Sequence, residues 1–231
     1  MIADRVAAVR ERIHRAAARA GRSPDDVVLV AVTKTHPPEV VREAFAAGLR
    51  DFGENRVQEA EEKVQALAEL RTAGIRWHLV GHLQSNKARK AVPLFDLVHS
   101  LDDAELGRRL DRIGSDEARV VRTLVQVDLA GEGTKSGLPE AALLPTLEAL
   151  RGLPSLRIEG LMVLPPFSED PERTRPYFRR LRELRDRARA QSLLSGTDLS
   201  MGMSHDFEVA IEEGATLVRV GTELFGERKP A

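Results

Sequence analysis

The hydrophobic pattern of this chain switches between two periods. Over residues 2 to 20, Ile2, Val6, Val9 and Ile13 recur at helical spacing and predict an amphipathic N-terminal helix. A turn at Gly21 to Pro24 follows. Eight short apolar or β-branched runs come next: VVLVAVT at 27–33, DFGEN at 51–55, RWHLVGH at 76–82, LVHSLD at 97–102, VVRTLVQVD at 120–128, IEGLMVL at 158–164, DLSMGMS at 198–204 and TLVRVGT at 216–222. Helical patterns separate most of them, including PPEVVREAFAAG, VQEAEEKVQALAEL, DAELGRRLDRIG, PEAALLPTLEAL and ERTRPYFRRLRELRDRARA. Strand–helix alternation predicts parallel strands. Eight such units in 231 residues predict an α/β chain folded as a single (β/α)8 TIM barrel with an extra N-terminal helix, one domain over 1–231. The competing architecture is an open doubly wound sheet, which the lack of a glycine-rich dinucleotide fingerprint after the first run disfavours.

Barrel enzymes carry their chemistry at the C-terminal ends of the strands. That rule selects Lys34, Asn55, His82, Ser100, Asp128 and Ser204, with Gly221 and Thr222 after the last strand. Side chains alternate across a strand, so Val30, Val32 and Lys34 share one face. If the valines point into the barrel, Lys34 does too. A lysine held there is partly desolvated, which lowers its pKa and frees the amine for Schiff-base chemistry. The bland alternative is a lysine that reaches the rim and pairs with a carboxylate such as Glu54. SMGMSHD at 200–206 and VRVGTELFGER at 218–228 sit where barrels hold phosphate, although Ser204 and Asp206 are equally good helix caps. Arg219 shares a face with Leu217 and Gly221 and needs a partner there, either a ligand or a structural carboxylate such as Glu223. His78 and His82 lie on a strand, about 13 Å apart, too far to share a metal ion, and His78 reads as a packed histidine.

Composition narrows the chemistry. Cysteine is absent, which removes disulfides, thiolate metal sites and thiol catalysis. Basic and acidic residues nearly balance, 35 against 36, so a general grip on nucleic acid or anionic membrane is not expected and any anion site is local. Only six of the basic residues are lysines, which singles out Lys34 in its apolar run. The charged N-terminus lacks a signal-like apolar core, and a cytoplasmic protein is expected. A barrel with a strand-end lysine, a phosphate cup and an inward arginine suits a phosphorylated carbonyl compound. Pyridoxal 5′-phosphate (PLP) is one; a sugar phosphate handled by a Schiff-base aldolase is another.

The stretches VAVTKTHPPEVVREAFAAGLRDFGENRVQEA, WHLVGHLQSNKAR, LVHSLD, GTKSGL, GLMVL, LSMGMSHDFEVAI and VRVGTELFGER resemble the pyridoxal phosphate homeostasis protein family, from about residue 28 to residue 228. That family's fold is similar to the N-terminal barrel of alanine racemase. The resemblance implies that Lys34 forms a Schiff base with PLP and that Asn55 lies beside the cofactor. It implies that Ser204, Gly221 and Thr222 hold the phosphate and that Arg219 faces the pyridine nitrogen. His82 and His205 fall at positions the family varies and are not carried over. Lys87 and Lys135 are expected to be solvated surface lysines rather than phosphate ligands.

Arginine only donates, so Arg219 would leave the pyridine nitrogen unprotonated and the cofactor a weak electron sink. Racemisation needs a base on each face of the substrate. In alanine racemase the second is a tyrosine from another domain of the partner subunit. This chain ends at 231 without such a domain, and its one tyrosine, Tyr177, sits in a charged helix. The expectation is therefore a monomeric PLP-binding protein of PLP (vitamin B6) and amino-acid homeostasis, without turnover, with PLP-dependent apoenzymes as candidate recipients. The alternatives are a weak PLP-dependent amino-acid racemase and an aldolase using Lys34 without PLP.

Overall fold

Eight strand-like runs alternating with helices fit a parallel sheet, open or rolled closed so that one face is wholly inside. The structure, a computed structural model, describes residues 1–131 and 136–226. Its barrel strands are β1 (Val28–Val32), β2 (Asp51–Glu54), β3 (Arg76–Leu79), β4 (Leu97–Leu101), β5 (Val121–Asp128), β6 (Leu156–Met162), β7 (Asp198–Met203) and β8 (Leu217–Val220). Each is parallel to its sequence neighbours, and the ring closes through β8 against β1, with Val28 opposite Leu217 and Val30 opposite Arg219. The closed barrel is thus the observed fold, and the open sheet is excluded.

The strands stop short of several of the predicted runs. Thr33, Asn55, His82 and Ser204 lie beyond the ladder, where the chain turns over the rim. A two-residue strand, Leu138–Pro139, adds to the end of β5. Helix Ala88–Leu94 carries an internal Pro93, which hid it from the helical pattern.

Alternation sorts the side chains into two cores. Val28, Val30, Val32, Val80, Leu97, Leu124, Met162, Leu164 and Leu217 pack inside the barrel. Leu29, Ala31, Phe52, Trp77, Leu79 and Val218 pack outward under the helices. The inner core is not wholly apolar: Asp51, His78, His99, Ser200 and Arg219 share it and are all buried.

The N-terminal helix (Ile2–Arg19) buries Val6, Val9, Ile13, Ala16 and Ala17. It lies against helices Phe207–Glu212 and Thr222–Phe225, which follow β7 and β8. Arg12 stacks on Phe207 at 4.5 Å and bridges Glu208 and Glu223, both at 3.2 Å. Arg22 donates to the carbonyls of Ile211 and Ala215 at 2.9 Å. The added helix therefore fastens the two units that carry the rim's phosphate-type motifs. Among the described residues, no helix is long and apolar enough to cross a membrane.

Gly160 pairs with Asp198 across β6 and β7, and a Cβ there would lie 1.9 Å from the Asp198 carbonyl oxygen. Overpacking of this kind costs about 1–3 kcal/mol. Gly160→Ala is expected to lower the thermal midpoint by several degrees, read by calorimetry or circular dichroism.

Candidate functional site

β1 enters the rim with Val28, Val30 and Val32 on its inner face, and the alternation carries Lys34 to the mouth of the barrel. Lys34 lines a cavity of about 420 Å³ together with Asn55, Ser204, Arg219, Gly221 and Thr222. The six residues that the family resemblance implies thus line one space, from the ends of β1, β2, β7 and β8. Its size falls within the roughly 300–1,000 Å³ usual for small-molecule sites. A larger hollow next to it shares Ser204 and Thr222 but not Lys34, Asn55, Arg219 or Gly221, and a similar one elsewhere on the surface holds none of the six. Val32, Val80, Leu164, Phe167 and Met203 supply its apolar walls, and His36 and His205 stand at its edge.

Close backbone approaches fix the pieces. Gly81 lies against Asn55, where a Cβ would come within 2.3 Å of the Asn55 carbonyl oxygen. Gly202 has φ +88°, and a Cβ would press on Phe207 and Ala210, so glycine is required for the chain to pass from β7 into the following helix. Asp206 accepts from the Met203 amide at 2.7 Å and closes that turn. Ser204 Oγ accepts from the Gly221 amide at 3.2 Å, which ties the β7 turn to the β8 turn. Hydroxyls of Ser204 and Thr222 and the backbone at Gly221 thus come together on one side of the cavity.

Arg219 is buried at 4% exposure inside β8. Its Nη1 donates to Ser200 Oγ and its Nη2 to the Val163 carbonyl at 3.0 Å. Burial pulls the guanidinium down to about 10, only partly offset by the charge of Asp206, so it remains a cation at neutral pH. Glu223, the carboxylate that the sequence offered as its partner, pairs with Arg12 instead. The helix after β8 turns Glu223 outward towards the N-terminal helix.

Lys34 is held from behind by residues that strand-end position did not select. Thr33 and Thr35 flank it, and Thr35 takes a left-handed φ of 68°, a strained setting for a β-branched residue. Thr33 Oγ1 donates to Glu54 Oε1 at 2.6 Å, and Lys63 Nζ donates to the Thr33 carbonyl at 2.7 Å. The Thr35 amide donates to Glu59 Oε1. Lys63 joins the carboxylates, at 2.7 Å from Glu54 and 2.9 Å from Glu59. Glu54 therefore faces the helix layer and is engaged by Lys63, in contrast to the bland alternative of a Lys34–Glu54 rim pair. Burial raises the Glu54 carboxyl above its usual range despite Lys63, and among the described residues its Oε2 has no hydrogen-bond donor. Little in the sequence signals this brace, because Glu59 and Lys63 at i, i+4 look like a solvated helix pair.

Other rim candidates stay outside the cavity. His82 pairs with Asp102 at 3.1 Å, Ser100 donates to the Gly81 carbonyl at 2.7 Å, and Asp128 caps the amides of Ala130 and Gly131. His78 is a packed histidine, bonded to Asp51 and His99. Lys87 ends the turn Ser85–Lys87, half-buried and away from the cavity lining. Lys135 lies outside the described residues. Tyr177 belongs to helix Arg175–Ala190 on the outer layer.

The family model of the alanine racemase N-terminal domain matches residues 5–229. The pyridoxal phosphate homeostasis protein of Aquifex aeolicus is 46% identical over 226 residues, covering 98% of both chains. That of Escherichia coli (strain K12) is 41% identical, covering 98% of this chain and 97% of its own. Among solved structures, PipY of Synechococcus elongatus PCC7942 with PLP bound is 43% identical, with a TM-score of 0.86 over 98% of this chain and 100% of PipY. An alanine racemase of Clostridium difficile 630 in complex with cycloserine has a TM-score of 0.71 at 15% identity, over 89% of this chain and 56% of the racemase, a likeness of fold alone.

Removing one member of a buried ion pair costs about 3–5 kcal/mol, whereas replacing both is often near neutral. Lys63→Met is expected to destabilise the protein by that order in urea unfolding. The double variant Glu54→Leu with Lys63→Met is expected to recover most of the loss.

Proposed function

The chain belongs to the pyridoxal phosphate homeostasis protein family, built on the alanine racemase N-terminal barrel, and from that membership we propose that it binds PLP as a Schiff base on Lys34. The observation that carries this reading is the convergence of Lys34, Asn55, Ser204, Arg219, Gly221 and Thr222 on one cavity. The fit is chemical as well as geometric. An amine is needed for the aldehyde, and the Ser204 and Thr222 hydroxyls with the Gly221 turn offer donors to a phosphate. A buried guanidinium offers a donor to a ring nitrogen.

In this reading Lys34 is the anchor, Asn55 flanks the ring and Arg219 meets the pyridine nitrogen. PLP, when bound, supplies an electron sink whose strength depends on protonation of that nitrogen. Arg219 is buried and cationic, so a second positive charge beside it is opposed electrostatically. Arg219 would therefore leave the ring nitrogen of a bound PLP unprotonated and the sink weak. The other side chains at the mouth add little proton chemistry: His205 Nε2 is engaged by the Glu169 carbonyl at 2.8 Å, and the His36 ring packs on Phe225 at 5.2 Å. Tyr177 is not among the residues lining the cavity. These features support a carrier or buffer of PLP without a catalytic cycle, and the proposal extends to a cytoplasmic monomer that serves PLP and amino-acid homeostasis with PLP-dependent apoenzymes as recipients. A weak amino-acid racemase is the second reading, supported by the shared racemase barrel.

Titration of purified protein with PLP is expected to give a visible Schiff-base absorption that Lys34→Ala abolishes. Thr222→Ala is expected to weaken PLP binding about tenfold, the usual loss for one charge-assisted hydrogen bond. Incubation with amino acids in deuterated water is expected to leave the α-hydrogen unexchanged, and sustained α-deuteration dependent on Lys34 would establish the racemase instead.

A further inference from the structure

Five buried polar side chains run through the inner core of the barrel, a place where each must be satisfied or costs stability. Asp51 Oδ1 contacts His78 Nε2 at 3.0 Å. His78 Nδ1 contacts His99 Nε2 at 2.9 Å. His99 Nδ1 contacts Ser200 Oγ at 2.8 Å, and Arg219 donates to the same Ser200 Oγ. The five residues come from five different strands, β2, β3, β4, β7 and β8, so the line crosses the barrel rather than following one edge.

With one proton on each imidazole, the two ends fix the direction of every bond between them. Arg219 can only donate. Asp51 is an ionised acceptor: burial raises its carboxyl, but hydrogen bonds from His78 and Arg76 outweigh that and hold it below its usual range. Arg76 Nε lies 2.7 Å from Asp51 Oδ1 and secures that end. If Asp51 accepts, His78 Nε2 carries the proton and its Nδ1 accepts. His99 Nε2 must then donate and its Nδ1 must accept, so the Ser200 hydroxyl hydrogen points to His99 and its lone pairs face Arg219. In this pattern every donor meets an acceptor. An extra proton on either ring would reverse the bonds, turn His99 Nδ1–H towards Ser200 and take away the acceptor that the Ser200 hydroxyl hydrogen has in His99. Burial, followed by the charge of Arg219, pushes His99 well below its usual pKa, in agreement with its neutral form.

We infer that Asp51, His78, His99 and Ser200 form a one-way hydrogen-bond relay whose role is to position Arg219 towards the ring nitrogen of the cofactor. The inference rests on the PLP reading of the cavity for its ligand, and on the bonding pattern alone for its direction. The four are positioning residues, since none of them lines the cavity and Arg219 does. Ser200 and the Val163 carbonyl take one donor from each terminal nitrogen of Arg219, which fixes the plane of the guanidinium. Its remaining N–H groups are thereby aimed by the relay.

The test has one arm without cofactor and one with it. Nitrogen-15 NMR of labelled imidazoles in cofactor-free protein at neutral pH, assigned with His78→Phe and His99→Gln, is expected to show both rings neutral with the proton on Nε2. A charged ring, or a His99 proton on Nδ1, would overturn the relay. With PLP added, Ser200→Ala is expected to speed PLP release about tenfold and to shift the visible band, and Ser200→Thr, which keeps the hydroxyl, to restore both. His78→Phe, which does not touch Arg219, is expected to shift the band in the same direction. Folded Ser200→Ala and His78→Phe proteins with unchanged spectra and release rates would overturn the positioning role. If Ser200→Ala does not fold, His78→Phe carries the same comparison. Wild-type protein that took up no PLP would remove the reading of the cavity, and with it Arg219's ligand, while the tautomers of His78 and His99 would still decide the relay.

Discussion

A guanidinium inside a barrel is the constraint around which this protein is organised. β8 places Arg219 on the inner face because Leu217 and Gly221, its neighbours at period two, are also inward. Desolvating an isolated cation costs on the order of several kcal/mol even after relaxation. The fold meets this by giving Arg219 a hydroxyl and a carbonyl, from Ser200 and Val163. Ser200 then needs His99, His99 needs His78, and His78 needs Asp51. The polar inner core follows from one residue. So does the character of the cavity, in which a fixed cation accompanies a lysine and a set of neutral donors.

Rigidity around that cavity comes from outside the barrel wall. Lys63, Glu54 and Glu59 hold Thr33 and Thr35 on either side of Lys34, including a backbone conformation that threonine seldom adopts. Across the rim, Ser204 ties the β7 turn to the β8 turn, while Arg12 and Arg22 fasten the following helix to the N-terminal segment. The amine and the phosphate-type donors are thus supported separately, each by charged groups that touch neither. Such support is what a site needs if its geometry is to hold without a ligand.

Much of this is legible in the sequence, for reasons that can be named. Eight alternating runs suit a barrel, and the barrel rule assigns strand ends to one rim, which selects Lys34, Asn55, Ser204, Gly221 and Thr222; Arg219 enters by sharing a strand face with Leu217 and Gly221, and the family resemblance groups the six. The same rule also selects His82, Ser100 and Asp128, which cap or pair locally. Strand-end position reports the rim but not which part of its circumference holds the cavity. The brace is hidden because Glu59 and Lys63 have ordinary helix-surface spacing, and only the fold shows Lys63 to be 4% exposed. The relay is hidden for a related reason. Asp51, His78, His99 and Ser200 are far apart in sequence, and their contact depends on the stagger of neighbouring strands, which hydrophobic pattern does not encode.

Lys34 is proposed to anchor PLP by a covalent bond. Borohydride reduction of PLP-loaded protein, followed by proteolysis and mass spectrometry, tests it most directly. One pyridoxyl group per chain is expected, on the peptide that contains Lys34. A pyridoxyl group on another lysine such as Lys63 or Lys87, or no adduct after full loading, would contradict it.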